Sequence, residues 1–562
     1  MILSLGPILL ALAAGSPAAP PFDVVIRGGR IVDGAGRPAF TGDLAIEGDR
    51  IVAVGTVPAG RGARRVIDAR GLVVAPGFVD VHSHSDLLYF EDGRAESKVR
   101  QGVTLEVLGE ADSAGPCQGR LVADGRSCFR TLGDYFRALE AAGMSVNVAS
   151  YVGHANVWRS VMGDAFDRPT PAQLEEMKAL VAQAMEDGAL GLSSMLAGPP
   201  GLLATTDDIV ALAGAVRPFG GIYSTHIRNE GTGVQDAVRE AIAIGERAGV
   251  PVDIIHLKIA DQTLWGRMGD LVALVEQARA RGVDVQANVY PYTRGNNNLA
   301  SIVPPWAHEG GTARMLERLR DPAARERMKR DIRAGLEGWY NHYTAIGGDW
   351  ARMLVNGELS DANARFEGRT MDVVLARRSE GRTPPPDPID EMLDFLLEEG
   401  GSVPTIYAHH TEEDMTLAMK QRWCSIGSDG LAHATDGPLR RGTPHPRSFG
   451  TFPRVLGVYA RERGLLTLEE AVRKMTSLNA RKVGLADRGE LRPGAFADVV
   501  VFDGGRVIDR STYLEPFQYP EGIDFVIVNG RVVVEGSRHT GERPGRVVRR
   551  EAVERTVVPS SR

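Results

Sequence analysis

Short apolar runs alternate with longer amphipathic stretches through the middle of the chain. The apolar runs have the length of buried strands and lie at residues 145–154, 220–226, 252–258, 283–292 and 423–429. The stretches between them are predicted to be helices, and one of them opens with Thr170 and Pro171, which are favoured residues at a helix start. This regular alternation predicts an α/β fold, a TIM-like (β/α)8 barrel.

Both ends of the chain have a different pattern. Residues 22–36 and 43–55 alternate apolar and polar positions and turn on glycines, which predicts short hairpin strands. Residues 498–503 and 525–535 repeat this pattern near the C-terminus. We therefore predict a small β-sandwich domain that is built from both chain ends.

The alternation of strands and helices stops between about residues 304 and 388. This region contains an arginine-rich helical stretch and a proline-rich run at residues 384–388. Long excursions from a compact fold are typical of lids and binding loops, so we predict a lid insertion over the barrel mouth. The predicted domains are the barrel at residues 75–480, which includes the insertion, and the β-domain at residues 21–74 and 481–550.

Length and charge narrow the class of protein. The 562 residues are enough for one large domain with accessory parts. A net charge of -7 gives no reason to expect nucleic acid or an anionic membrane as a partner.

The first residues resemble an export signal. Residues 1–14 are apolar, and small residues and prolines follow at 15–21, which predicts a signal peptide at residues 1–20 and a periplasmic or secreted protein. The apolar stretch is too short for stable membrane insertion. No basic residue precedes this apolar stretch, although one usually does in a signal peptide. The alternative is a cytoplasmic protein whose apolar start results from a misassigned start codon.

Three cysteines are present, and two of them are close in sequence. Cys117 and Cys128 flank a short polar loop and are able to pair in an oxidising compartment. Cys424 lies in an apolar run, where a buried and unreactive thiol is expected.

Histidines and one aspartate stand at the ends of predicted strands. His82 and His84 are two residues apart at the end of the run at residues 74–86, so they point to the same side. His226, His256 and Asp429 each end another run. A single histidine is more often structural, but barrels deliver metal ligands from successive strand ends. Four imidazoles are enough for two metal ions if an oxygen ligand bridges them.

Two carboxylates are candidates for a ligand or acid/base role beside such metal ions. Glu110 follows the predicted strand at residues 101–110, where its carboxylate is able to bridge two ions; the alternative is that it caps a loop. Asp429 is both a candidate ligand and a candidate acid/base, because a carboxylate beside a metal-bound water can take its proton and pass it to a leaving amine.

A lysine, a tyrosine and an arginine lie near other strand ends. Lys258 comes two residues after His256, and Tyr290 and Arg447 lie close to other predicted strand ends. These side chains suit the binding of a substrate carboxylate if they converge on one pocket. The residues alone leave a solvated surface position for them equally open.

At this point the motifs resemble the D-aminoacylase (N-acyl-D-amino-acid deacylase) family of the amidohydrolase superfamily. The motifs are PGFVDVHSH at residues 76–84, QGVT at 101–104, GALGLSS at 188–194, THIRNE at 225–230, IHLK at 255–258, YPYT at 290–293, GSDG at 427–430 and HPR at 445–447. The resemblance runs from the first β-rich segment to near the C-terminus.

The resemblance implies a zinc-dependent barrel with a β-domain and one or two Zn²⁺ ions. It implies that His82, His84, His226 and His256 are metal ligands and that Asp429 is the acid/base. It also implies that Lys258, Tyr290 and Arg447 bind the substrate carboxylate.

The chain departs from the family in two places. Many relatives have a metal-binding cysteine after QGVT, where this chain has Glu110, so we expect this carboxylate to replace the thiolate, with Asp112 as the second choice. Relatives often have a tyrosine where this chain has Gly198, which changes one wall of the substrate site.

The predicted function is hydrolysis of the amide bond of small N-acyl-D-amino acids, or of dipeptides with a C-terminal D-residue, with a metal-bound hydroxide as nucleophile. A cyclic-amide hydrolase of the dihydroorotase or hydantoinase kind is the alternative. Those enzymes usually use a bridging lysine from a mid-barrel strand, and residues 188–194 contain no lysine. A barrel that binds a metal or another ligand without catalysis is a further class, but it requires a degraded ligand set or acid/base, whereas Asp429 and the four histidines are intact.

Overall fold

The computed structural model describes residues 20–119 and 128–550. The predicted signal peptide lies outside the described residues, apart from Pro20. Within the described ranges, no helix has both the length and the apolar character needed to cross a membrane.

Parallel strands form the predicted barrel. In chain order they are Phe78–Asp80, Val103–Leu108, Asn147–Ser150 continued by Val152–Gly153, Gly191–Met195, Ile222–His226, Val252–Ile254, Val285–Val289 and Cys424–Ile426. The last strand returns to the first, where Ser83 and Gly430 form a parallel bridge. Across this seam the Asp429 amide donates to the His82 carbonyl at 2.8 Å. The barrel prediction is confirmed.

Helices cover the outside of the barrel. They are Glu96–Val99, Leu132–Ala142, His154–Met162, Pro171–Glu186, Thr206–Gly214, Val234–Ala248, Met268–Ala280, Glu412–Lys420, Arg447–Arg454 continued by a π-helix at Val455–Glu462, Leu468–Met475 and Ser477–Lys482. The predicted helix start is present, because the Thr170 side chain accepts a hydrogen bond from the Gln173 amide and Pro171 is the first helical residue.

Both chain ends contribute to one continuous sheet, which confirms that the predicted β-domain is built from both ends. Its strands are Phe22–Ile31, Phe40–Glu47, Arg50–Gly55, Ala63–Asp68 and Val73–Pro76 from the N-terminal side, and Val499–Phe502, Ile523–Val528, Arg531–Glu535 and Arg538–His539 from the C-terminal side. Val73–Pro76 pairs antiparallel with Val499–Phe502 and so joins the two halves. Ile26, Ile46, Val499 and Val501 are among the side chains of its buried core.

The insertion is larger than residues 304–388. A three-stranded antiparallel sheet of Gly295–Asn298, Met353–Val355 and Pro404–Tyr407 has a separate hydrophobic core. Its helices are Gly311–Arg320, Pro322–Ala334, His342–Ala345, Met371–Arg378 and Pro388–Glu398. The sequence did not predict its first strand, because one glycine and three asparagines have no apolar pattern.

The two nearby cysteines pair as predicted. Cys117 and Cys128 form a disulfide with 5.9 Å between their Cα atoms. Cys424 is free and buried.

Candidate active site

The six predicted metal ligands follow the carboxyl ends of barrel strands. His82 and His84 come just after Phe78–Asp80, and Glu110 comes just after Val103–Leu108. His226 is the last residue of its strand, whereas His256 and Asp429 follow theirs by two and three residues. Because parallel strands end on the same side of a barrel, these side chains meet at its mouth.

The first group of candidate ligands consists of His82, His84, Glu110 and Asp429. Each offers a nitrogen or oxygen atom, and these atoms all lie within 4.8 Å of one another. His84 Nε2 is 3.0 Å from Glu110 Oε2 and 2.9 Å from Asp429 Oδ1. His82 Nε2 contacts Glu110 and lies 3.6 Å from Asp429 Oδ1.

The second group consists of Glu110, His226 and His256, which meet the same distance limit. His226 Nδ1 lies 3.5 Å from Glu110 Oε1. Glu110 therefore faces the two groups with different oxygens, Oε2 toward the first and Oε1 toward the second. This is the placement that a bridging carboxylate needs, while the bridging role itself stays a prediction.

Asp112, the second choice for this role, lies elsewhere. Its side chain is 61% exposed, and Arg159 Nη1 donates to its Oδ1 at 2.8 Å. Asp112 belongs to neither group of ligands within the described residues.

The donor set fits zinc. Imidazole nitrogens and carboxylate oxygens are ordinary zinc ligands, and four histidines with two carboxylates are enough for one or two ions. The Nε2 atom of His226 is buried with no hydrogen-bond partner in the described part of the chain. Burial lowers the pKa of His84, but the charges of Glu110 and Asp429 outweigh this effect and raise the pKa to about 10. Packing of anions around imidazoles is typical of a site built for a cation.

Two of the predicted ligands have an unusual backbone conformation. His256 has φ +38° and Asp429 has φ +52°, in the left-handed region that residues other than glycine rarely adopt. Asn288 Oδ1 accepts from the His256 amide at 3.0 Å, and the His82 carbonyl accepts from the Asp429 amide. These bonds hold both residues in a strained conformation that aims their side chains into the site.

Glu230 was not among the predicted site residues. Its Oε1 accepts from Lys258 Nζ at 2.5 Å and lies 3.1 Å from His256 Nδ1. Burial raises the pKa of Glu230, but Lys258, His226 and His256 lower it well below its ordinary value. The ionised carboxylate thus orients a histidine ligand and a candidate substrate-binding lysine. The sequence did contain a signal for this residue, because Glu230 follows the predicted ligand His226 by four residues in the motif THIRNE.

Lys98 was missed as well. It is fully buried, and its Nζ donates to Asp80 Oδ2 at 2.9 Å, Ser83 Oγ at 3.0 Å and Ser428 Oγ at 2.8 Å. Glu106 Oε1 lies 3.2 Å from the same ammonium group. Ser83 stands between His82 and His84, and Ser428 precedes Asp429. Lys98 therefore joins the two segments that carry three of the six predicted ligands.

The predicted substrate-binding residues line the same cavity as the ligands. This cavity has a volume of about 1050 Å³ and is lined by Lys258, Tyr290 and Arg447 together with five of the six ligands. Arg447 Nη1 donates to Asp429 Oδ2 at 2.6 Å, and the Arg447 guanidinium lies 4.8 Å from the centre of the Tyr290 ring. All three residues are buried, which excludes the solvated surface position.

The charge of Asp429 depends on these neighbours. Burial raises the pKa of Asp429, but Arg447, His82 and His84 lower it well below its ordinary value. The Tyr290 hydroxyl is buried and has no hydrogen-bond partner in the described residues. The site thus combines the ionised Asp429 carboxylate, the cationic side chains of Lys258 and Arg447, and a Tyr290 hydroxyl that has no hydrogen-bond partner among the described residues.

Comparison with known proteins agrees with this geometry. A model of the amidohydrolase family matches residues 65–534. The chain is 36% identical to an N-acyl-D-glutamate deacylase of Alcaligenes xylosoxydans xylosoxydans, over 94% of this chain and 97% of the relative.

Two solved structures are similar over 94% of this chain and 100% of their own. One is an N-acyl-D-glutamate deacylase of Bordetella bronchiseptica in complex with zinc and a phosphonate inhibitor that mimics the tetrahedral intermediate of the reaction, at 33% identity and a TM-score of 0.78. The other is a D-aminoacylase with a binuclear metal centre, at 34% identity and a TM-score of 0.79. The chain belongs to the amidohydrolase family, in its D-aminoacylase branch.

Proposed function

We propose that this chain is a zinc-dependent amidohydrolase that cleaves the amide bond of N-acyl-D-amino acids, or of dipeptides with a C-terminal D-residue. The observation that carries the proposal is the shared cavity. Two groups of metal-ligating side chains have Glu110 in common, and Lys258 and Arg447 line the same space. A substrate that has both an amide bond and a free carboxylate matches this arrangement. The names of the similar proteins, such as N-acyl-D-glutamate deacylase, indicate substrates of this kind.

His82, His84, Glu110, His226, His256 and Asp429 would hold one or two zinc ions. When bound, zinc supplies Lewis-acid polarisation of the acyl carbonyl and a lowered pKa for the attacking water. Asp429 is the acid/base of the chain. Arg447 keeps it ionised at neutral pH, and the ionised carboxylate is the form that accepts a proton from water and delivers that proton to the leaving amine nitrogen.

Lys258, Tyr290 and Arg447 bind the substrate carboxylate. Arg447 offers a planar set of donors, Lys258 offers a compact charge, and Tyr290 offers a free hydroxyl. Glu230 and Asp429 hold the two cations in place before substrate arrives. Buried cations with partners keep their charge and their position, so less ordering is needed on binding.

Cleavage of linear amides is favoured over cleavage of cyclic ones. The strand Gly191–Met195, at mid-barrel, has no lysine to bridge two metals, and Glu110 stands at the shared position instead. The experiment assays amine release from N-acetyl-D-amino acids and their L-enantiomers and, in parallel, ring opening of dihydroorotate. Release from the D-compounds alone supports the proposal, and ring opening of dihydroorotate without D-specific deacylation refutes it.

We also propose that the protein is exported. Residues 1–20 have the pattern of a signal peptide, and the Cys117–Cys128 disulfide suits an oxidising compartment. N-terminal sequencing of the protein from the native host's extracytoplasmic fraction tests this proposal. A protein found only in the cytoplasm with residues 1–20 still attached contradicts it.

A further inference from the structure

The motif HPR at residues 445–447 begins with a histidine that has no role in the site described so far. His445 is only 2% exposed, and it lines the catalytic cavity. It lies two residues before Arg447, and Pro446 between them is the N-cap of the helix that begins at Arg447. The His445 ring is therefore placed beside the start of the residue proposed to bind the substrate carboxylate.

Both ring nitrogens of His445 have a backbone partner. The Arg447 amide donates to Nδ1 at 3.1 Å, and Nε2 lies 2.9 Å from the Arg294 carbonyl oxygen. A backbone amide only donates and a carbonyl only accepts, so Nδ1 has no proton and Nε2 carries one. Burial and the charge of Arg447 lower the pKa of His445 well below its ordinary value, which agrees with this neutral form.

Aromatic rings from two other segments hold the imidazole in place. The ring of Tyr513 lies 5.0 Å from the His445 ring and that of Tyr292 lies 5.5 Å from it, both nearly perpendicular to it, as aromatic pairs prefer. Tyr292 and Arg294 precede the first strand of the insertion, and Tyr513 lies between two strands of the β-domain. His445 therefore joins the start of the insertion and the C-terminal part of the chain to the Arg447 helix.

The contact at Nδ1 acts on the backbone from which the Arg447 side chain leaves. Arg447 is the first residue of its helix, where the amide has no carbonyl partner within the helix, and His445 supplies the acceptor. The guanidinium is at the far end of a long side chain, so a small rotation of this backbone moves it away from Asp429 Oδ2, now 2.6 Å from Nη1. The position of the guanidinium thus depends on the imidazole.

We propose, on the basis of the deacylase function above, that His445 is a positioning residue that sets how firmly Arg447 holds the substrate carboxylate. It acts through the Arg447 backbone amide and does not need to touch the substrate. The bond from Nε2 to the Arg294 carbonyl and the Tyr513 ring keep the imidazole in the orientation that this role requires. Because its effect passes through Arg447, His445 matters for substrates that carry a carboxylate.

The test uses zinc-loaded enzyme and two compounds: the N-acetyl-D-amino acid that the wild type cleaves best, and its analogue with a carboxamide in place of the carboxylate. Where turnover of the analogue is too slow to follow, its inhibition constant against the acid is measured instead. In His445→Leu, the loss of one neutral hydrogen bond predicts a KM for the acid that is roughly three- to tenfold higher. The constant for the carboxamide is expected to stay the same, whereas a general distortion of the site would change both.

Two further variants separate the two ring nitrogens. His445→Asn places an acceptor close to the position of Nδ1, and His445→Gln places a donor close to the position of Nε2. If the Arg447 contact carries the effect, the asparagine variant retains more of the preference for the acid over the carboxamide than the glutamine variant does. Both variants keep a polar side chain, so they decide the question even if His445→Leu does not fold.

His154→Leu is the matched control. His154 is 1% exposed and is also the first residue of a helix that follows a barrel strand, but it lies outside the lining of the cavity. Its Nε2 atom is buried without a hydrogen-bond partner in the described residues. This change is expected to leave the preference for the acid over the carboxamide unchanged, whatever it does to stability.

Two results overturn the inference while deacylation stands. One is an unchanged preference for the acid in a folded His445→Leu variant, and the other is a preference in His445→Asn that is no higher than in His445→Gln. If the zinc-loaded wild type cleaves no N-acyl-D-amino acid at all, the proposed function fails and the inference fails with it. A loss confined to the acid, larger in the glutamine than in the asparagine variant and absent from His154→Leu, supports the positioning role.

Discussion

Arg447 donates a hydrogen bond to Asp429, with 2.6 Å between Nη1 and Oδ2. Asp429 lies in the loop that follows the last barrel strand, Arg447 is the first residue of the helix to which this loop leads, and both are almost completely buried. The bond links the residue proposed to bind the substrate carboxylate with the residue proposed to move the proton. It also explains why Asp429 remains ionised in spite of burial.

Asp429→Asn keeps the shape of the side chain but removes its ability to carry a proton. We expect kcat to fall by about 10²–10⁴-fold, the usual contribution of a general acid–base, while most of the metal stays bound. Arg447→Ala is expected to act mainly on KM, because it removes a contact to the substrate. Steady-state kinetics with metal analysis separate the two variants, and near wild-type turnover in metal-loaded Asp429→Asn contradicts the assignment.

Glu110 and Asp112 form a matched pair for testing the bridging carboxylate. Glu110→Ala is expected to lower metal content and rate together, because Glu110 is shared by both groups of ligands. Asp112→Ala is expected to leave metal content unchanged, since its exposed carboxylate contacts Arg159 instead. Metal content after dialysis against a weak chelator is the measurement. Metal loss in Asp112→Ala with full content in Glu110→Ala reverses the choice.

Lys98→Met removes the charge that compensates two buried carboxylates. Asp80 and Glu106 are fully buried, and breaking a buried ion pair from one side typically costs about 3–5 kcal/mol of unfolding free energy. Urea unfolding measures this loss. Lys178→Met is the control, because Lys178 pairs with Glu175 on an exposed helix surface, where a pair contributes about 0–1 kcal/mol. Equal effects of the two changes would show that the Lys98 network does not stabilise the barrel mouth.

The disulfide predicts a simple thiol count. The chain has three cysteines, of which Cys117 and Cys128 are paired and Cys424 is free. Protein from an oxidising compartment, denatured without reductant, should therefore react with one equivalent of a thiol reagent, and reduced protein with three. Three reactive thiols before reduction would argue against both the bridge and export.

The barrel and the grouping of the candidate metal ligands at its mouth were predictable because their signals are local. A histidine or aspartate that ends an apolar run needs only the rule that barrel strands present their carboxyl ends together. Glu110 was preferred to Asp112 from the strand pattern, and of these two carboxylates the structure places only Glu110 in the groups of side chains that could hold a metal ion. The β-domain was predictable as well, because its strands alternate in the usual way.

Features that depend on contacts between distant segments were not predictable. Lys98 looks like an ordinary helical lysine, and its buried position depends on Ser428, 330 residues away. The strand Gly295–Asn298 exists because Pro404–Tyr407 pairs with it, against the low strand propensity of asparagine. The Arg447–Asp429 hydrogen bond likewise depends on how the loop between the last barrel strand and the helix that begins at Arg447 folds above the barrel.

The central claim is that a zinc site built by these residues cleaves N-acyl-D-amino acids. The most direct measurement is the release of free amino acid from N-acetyl-D- and N-acetyl-L-amino acids, with metal-depleted protein before and after zinc is restored. The account predicts no turnover without metal, and recovery with zinc on the D-substrates only. Full turnover by protein verified as metal-free, or no D-specific cleavage by fully zinc-loaded protein, would contradict it.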